Sequence, residues 1–545
     1  MNNGEPEGRA SVGKSSNGTM DSTLEVSDQT SKVSAEIWAL IASYASRQSV
    51  ARLCAVSRTF HSTLSAPLYT DVLHPPLTAT QSSRLIRTLR TETAIQPHPA
   101  TFIRELGLKA SKNVHKNLFR FIPSGSPLRV LHWNMNAGLD ELGQLLGKPD
   151  QFPNLRELCV SSSGMNKNFN FIQTKGLEVL RLNMTIYSCN DLAPRLHKLG
   201  EAIQMLPTSS PLLTELQLKL QIPYDGQGIC PRPGTPGPHL GLSDLVSVIN
   251  LVHLPALATL DISMDLNPAD FEEYDAYDFD FLPEMDFFPF LASHPTLFHL
   301  TLNAKGTDLT TDDTFLPQLR SFEGSFYDAA VICNGQRQLN TLVIPFVHYG
   351  RTHNNPTYFE TVPLPSHLSL TKLKISAVDD SGSAIKAPNE LSPDSFAELV
   401  SSFPNLTYLD ACLNKPMTAY RKHLAVLVRL EYLRLQEYRT GTEIFSPNDY
   451  ITEFNHFLPF LPHLAHIEIC LFADRARSRS RYDEYDDSGD SGGEGESCPC
   501  CRYGFFLTAD SMVQPSSDTK VDYSFSVTRP SNGTEVVLTG SRVWW

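Results

Sequence analysis

Large apolar residues recur along most of this chain as Leu-x-x-Leu-x-Leu, with Ile, Val, Phe or Trp standing in for leucine. Thirteen copies begin at Ile103, Leu128, Leu155, Leu177, Leu213, Leu257, Leu297, Leu319, Leu339, Leu370, Leu406, Leu430 and Leu464, spaced 20 to 44 residues apart. The last two apolar residues of each hexapeptide alternate along a short strand and point to one side, while the residues between and beside them face the other way. A proline commonly stands two residues ahead of the first leucine, at 153, 255, 295, 317, 404 and 462. It cannot continue a helix and it pushes its neighbour toward extended geometry, so it marks a switch from helix to strand. Helix-like segments such as 398–403 and 287–291 run up to it. One strand and one helix, repeated at an irregular period, predict a stacked α/β array of short parallel strands over residues 101–474.

Ahead of the array, residues 31–73 read as helices. Ile37, Leu40, Ile41 and Tyr44 are spaced three or four apart, as are Leu53, Val56, Phe60 and Leu64. Ser34 is expected to cap the first helix, with Glu36 near its positive end, and Ser49 to cap the second. Pro67 is expected to stop the last one. Residues 74–100 follow as a helical linker, with Leu85, Ile86 and Leu89 on one face. Residues 1–30 carry almost no large apolar groups and are expected to be disordered, as is the charged, low-complexity stretch 475–502. The tail 503–545 alternates apolar and polar residues around Asn532-Gly533, which predicts a β-hairpin cap on the array. Stretches 221–245, 346–366 and 378–394, and the acidic, aromatic run 270–286, read as inserted loops.

Composition narrows the function. The chain has 545 residues, 41% of them hydrophobic and 19% charged, which describes a folded protein. Its net charge of −14 argues against a general nucleic-acid binder. No run of apolar residues is long enough to span a membrane, and the polar N-terminus does not resemble a secretory signal. Cys54, Cys159, Cys333, Cys412 and Cys470 lie singly among apolar residues and read as buried free thiols of a reducing compartment, which predicts cytoplasm or nucleus. Gly8 to Ser15 fits the phosphate-loop pattern, but neither a strand before it nor a helix after it is expected, so no nucleotide site follows. Cys498, Cys500 and Cys501 supply three thiols without a fourth ligand nearby, and no metal is assigned to them. Protease, hydrolase and paired-cysteine motifs are lacking, and no cofactor or catalytic residue is expected.

Two stretches bear a resemblance. The order Glu36-Ile37-Trp38, Ile41, Tyr44, then Leu53-x-x-Val56-Ser57-Arg58-x-Phe60 and Pro67-Leu68-Tyr69 resembles an F-box of the kind common in fungal proteins, with Val33-Ser34 where the family has Leu-Pro. The repeats resemble irregular leucine-rich repeats, and together the two are similar to fungal F-box proteins with a leucine-rich-repeat horseshoe. The resemblance implies that Ile37, Trp38, Ile41, Leu53, Val56, Phe60, Leu68 and Tyr69 build a three-helix module for a Skp-type adaptor, and through it a cullin. The repeats would then hold a target protein, making the chain the substrate receptor of an SCF-type ubiquitin ligase and not itself an enzyme. The alternative is a repeat scaffold for protein interactions, outside any ligase, whose helices merely cap the array.

Overall fold

The structure is a computed structural model, and it describes residues 34–56, 58–91, 98–109, 118–122, 125–134, 139–147, 151–162, 169–185, 192–221, 239–265, 285–303, 309, 312, 314–335, 338–344, 367–375, 391–413, 417–440, 447–474, 519–528 and 535–544. Outside these lie the N-terminal tail with Gly8 to Ser15, most of the expected inserts, the charged stretch with its cysteine cluster, and Asn532-Gly533. The chain divides into two units, Met1–Leu68 and Tyr69–Trp545.

The first unit is helical, with α1 (Ala35–Tyr44), α2 (Arg47–Val56) and most of α3 (Arg58–Thr70). Its core is Ala42, Val50, Cys54, Phe60 and Leu64, with Trp38, Ala45, Leu53 and Leu68 packed against it. Trp38 meets Phe60 edge to face, with ring centroids 4.7 Å apart. Three local expectations need correcting. Ser46, not Ser49, caps α2: its hydroxyl accepts the Ser49 N–H at 3.2 Å, three residues on. Pro67 lies within α3, which runs on to Thr70. Val56 is 74% exposed although Phe60 and Leu64 are buried, because α2 ends at Val56 and a new helix begins at Arg58, which breaks the periodicity between them.

Among the described residues the second unit holds one open sheet of sixteen strands: β1 (Asp71–Thr78), β2 (Glu105–Lys109), β3 (Val130–Asn134), β4 (Glu157–Ser162), β5 (Val179–Thr185), β6 (Glu215–Gln221), β7 (Thr259–Asp265), β8 (His299–Asn303), β9 (Ser321–Gly324), β10 (Thr341–Ile344), β11 (Lys372–Ile375), β12 (Tyr408–Leu413), β13 (Tyr432–Thr440), β14 (His466–Asp474), β15 (Thr519–Thr528) and β16 (Glu535–Trp544). Spatial order follows chain order throughout. Neighbours pair parallel from β1 to β14, and the last two strands are antiparallel. The fold is thus mixed α/β around a long, largely parallel sheet. Each of the thirteen hexapeptides forms one strand, β2 to β14, and the copies stay in register: Leu131, Leu158, Leu180, Leu216, Leu260 and Leu300 stand side by side.

All thirteen first positions, from Ile103 to Leu464, are 0% exposed. They enter from a tight turn. Leu155, Leu257, Leu406 and Leu464 each donate their N–H to the carbonyl three residues back, with the proline at the second corner, where its fixed φ suits the turn. Between copies runs a column of backbone bonds. The carbonyl of the second residue accepts two N–H groups from the next copy, its second residue at 2.6–2.9 Å and its third at 2.9–3.2 Å, unbroken from Arg104 to His466. The degenerate copy at Leu319 has its own explanation. Gly324 takes a position that most other copies fill with Leu, Ile or Val, and a Cβ there would lie 2.5 Å from the Phe322 ring and 2.9 Å from the Leu302 carbonyl. One phenylalanine fills the room of two leucines.

Helices lie between the strands. Thr78 and Gln81 cap α4 (Ala79–Thr91) reciprocally: the Thr78 N–H donates to the Gln81 side chain at 2.9 Å, and the Gln81 N–H to the Thr78 hydroxyl at 3.4 Å. In the same way Ser325 caps the helix Phe326–Asn334 and holds Asp328. Two expected inserts are shorter than the sequence suggested. The helix His239–Ile249 begins inside 221–245, and Leu391, bridged to Leu413, precedes the helix Pro393–Ser402, inside 378–394. Where Ser210 and His294 open the turn they are buried, and each binds the preceding copy. The Ser210 hydroxyl accepts the Leu177 N–H at 3.1 Å and donates to the Thr174 carbonyl. His294 accepts the Leu254 N–H on Nε2 at 2.8 Å, while Nδ1 donates to the Phe290 carbonyl.

Truncating a first-position leucine leaves a cavity, so Leu430→Ala is expected to destabilise by about 2–5 kcal/mol, whereas Val428→Ala, at a site 51% exposed, should stay within about 0.5 kcal/mol. Thermal unfolding of the full chain measures both. His294 adds a pH dependence. Burial holds its pKa below the ordinary range, and its Nε2 lone pair is taken by an N–H. Below about pH 6.5 the unfolded chain binds a proton that the folded chain resists, so stability falls as pH drops through that window. His294→Gln is expected to flatten the decline in midpoint between about pH 7 and 5.5.

Candidate functional site

The first unit carries more apolar surface than three short helices can hide. Along α1 and its C-cap, Trp38, Ala42 and Ala45 recur on the side that meets the core, and Ile37, Leu40, Ile41 and Tyr44 recur on another face. These four are 50%, 59%, 44% and 86% exposed. Glu36 at the start of α1 is held ionised below the usual carboxylate range by its own backbone N–H and by the Ser34 hydroxyl. The structure therefore sorts the eight residues of the resemblance. Ile37, Ile41 and Val56 are exposed, Trp38, Leu53 and Leu68 lean on the core, and Phe60 and Tyr69 are buried. Leu40 and Tyr44 join the exposed face; their spacing was the signal for them.

The second unit offers the outward face of its sheet, built from the third and fifth positions of each hexapeptide. Register brings residues from distant copies side by side. Toward the start, His132, Glu157, Arg181 and Glu215 form a ladder across β3 to β6. Glu157 Oε1 lies 3.3 Å from His132 Nε2 and 2.9 Å from Arg181 Nη1. Arg181 also grips Glu215 through Nε and Nη2, at 2.5 and 3.1 Å, a two-point contact that fixes the guanidinium plane. The hydrogen bond from His132 holds the Glu157 carboxyl low. Beside it, burial and the Glu157 charge push the Cys159 thiol up to about 12. Cys159 is only half-buried and faces outward, which corrects its reading as a core thiol; Cys54, Cys333, Cys412 and Cys470 are buried.

Toward the end of the array, Tyr408, Tyr432 and His466 stack along β12 to β14, with centroids 4.7 and 5.0 Å apart and planes within 28°. The neighbouring row is Asp410, Arg434 and Glu468. Arg434 lies 3.6 Å from a carboxylate oxygen of each acid, and Gln436 Nε2 donates to Asp410 Oδ1 at 2.8 Å. Asp410 is fully buried, and burial raises its pKa against the pull of Arg434. Its Oδ2 has no hydrogen-bond partner. Sequence reading missed both ladders, since neighbouring members lie 24 to 34 residues apart and only the register joins them.

Against known proteins, no family model and no curated sequence matches the chain.

The buried row yields a test. Removing Arg434 strips Asp410 of its countercharge, so Arg434→Gln is expected to cost about 2 kcal/mol, below the range for fully buried pairs because Arg434 is 29% exposed. Asp410→Asn keeps a polar group against Gln436 and should cost less than half as much, measured by urea unfolding of the full chain.

Proposed function

We propose that the chain is a non-catalytic substrate receptor of an SCF-type cullin-RING ubiquitin ligase. In this reading the first unit is an F-box that docks on a Skp-type adaptor, and the strands of the second are irregular leucine-rich repeats whose outward face holds a target protein. The observation that carries the proposal is the exposed α1 face of Ile37, Leu40, Ile41 and Tyr44. An apolar patch of this kind on a small helical unit calls for a protein partner, and it falls on the residues that resemble an F-box. The thirteen in-register strands support the second half, because a repeat array exposes one long face without a closed reaction pocket. Catalysis is then proximity: the receptor raises the effective concentration of target lysines beside the ubiquitin-carrying enzyme. Such a chain works in the cytoplasm or nucleus and needs no cofactor. Among the described residues no helix is long and apolar enough to cross a membrane.

Co-purification with a Skp-type adaptor tests the reading. The full chain is expected to form a stoichiometric complex. Ile37→Asp/Ile41→Asp should weaken it by at least about 100-fold while circular dichroism stays unchanged, because both side chains are exposed in the free unit. No complex with the unaltered chain overturns the proposal and leaves a repeat scaffold.

A further inference from the structure

We propose that His132, Glu157 and Cys159 form a binding site for one divalent zinc ion on the outward face of β3 and β4. The site is independent of the ligase reading. Among the described residues these three are the one group of His, Cys, Asp and Glu side chains close enough to share an ion, with all ligand atoms within 4.8 Å of one another. The backbone places them. His132 and Cys159 are direct register partners on adjacent strands, and Glu157 stands two residues before Cys159 on the same side of the sheet.

The spacings suit zinc. Bonds of about 2.0–2.3 Å at the tetrahedral angle put an imidazole nitrogen about 3.4 Å from a carboxylate oxygen, and a thiolate sulfur about 3.6 Å from it. Here His132 Nε2 lies 3.3 Å from Glu157 Oε1, and Cys159 Sγ lies 3.5 Å from the same oxygen. The donor set of one nitrogen, one oxygen and one sulfur selects a borderline ion over calcium or magnesium, which prefer oxygen alone. Three protein ligands leave the fourth tetrahedral position for water or a group from a bound partner.

A cation already serves these donors. Arg181 Nη1 lies 2.9 Å from Glu157 Oε1 and 3.6 Å from Cys159 Sγ. Zinc takes over that edge, and Arg181 is not stranded, because its other edge keeps both contacts to Glu215. The guanidinium is thus a competitor that the ion must displace.

The test titrates the metal-free full chain with zinc, and with cobalt(II) as a spectroscopic stand-in. The expected result is a one-to-one site with a cobalt–thiolate charge-transfer band and tetrahedral visible bands. Cys498, Cys500 and Cys501 are replaced by serine in a parallel chain, so that their thiols do not supply the signal. In that chain Cys159→Ser abolishes the thiolate band, His132→Gln weakens binding at least about tenfold, and Arg181→Gln tightens it. No thiolate band in that parallel chain, or a band that survives Cys159→Ser, overturns the proposal and leaves the three residues as a hydrogen-bonded part of the ladder.

Discussion

The column of shared carbonyls between copies is the constraint on which the second unit depends. Each link ties two N–H groups of one hexapeptide to a single oxygen of the one before, just where the chain leaves its turn and enters the strand. That fixes both the distance and the register of the next strand before any side chain packs. A slip of one residue would carry the leucines to the outward face and the charges into the core. The fully buried first position of every copy lies beside this column, so backbone pairing and leucine burial enforce one another.

The two faces of the sheet then do different work. Inward, identical positions stack into rows of leucine, and local losses are made good by neighbours, as where Phe322 covers for Gly324. Outward, the rows are polar and no two stretches agree. Histidine, glutamate and arginine share one ladder near the start, and stacked rings beside a buried acid occupy the end. Burial of Asp410 with one oxygen lacking a hydrogen bond costs stability that an apolar residue would not. The outward face is where the chain carries polar chemistry at the expense of packing.

Much of this fold was legible because the period-two alternation of Leu-x-x-Leu-x-Leu is strong and local: every copy read from sequence is a strand, and the prolines mark its turn. The strand β1 was not legible. Its sequence, Asp71 to Thr78, contains Pro75 and Pro76 and lacks the motif; it pairs with an irregular register and survives as an edge strand, where a missing N–H is tolerated. In the helical unit the spacing of Ile37, Leu40, Ile41 and Tyr44 gave a true face, but spacing does not say whether a face meets core or water. Side-chain ladders were out of reach, since gaps of unequal length separate their members along the chain. The cap assignment of α2 failed for a smaller reason: Ser46 and Ser49 are both capping residues, and only the helix start decides between them.

Spatial order that repeats chain order has a consequence for divergence. Because a strand pairs only with its predecessor and successor, the 20 to 44 residues between hexapeptide starts can lengthen or shorten without disturbing the sheet. Insertions collect in the connections and substitutions on the outward rows, while thirteen short hexapeptides hold the frame. Two proteins built this way can superpose strand for strand and share almost no alignable sequence. Kinship among them is then better sought in the cadence of the leucines than in percentage identity.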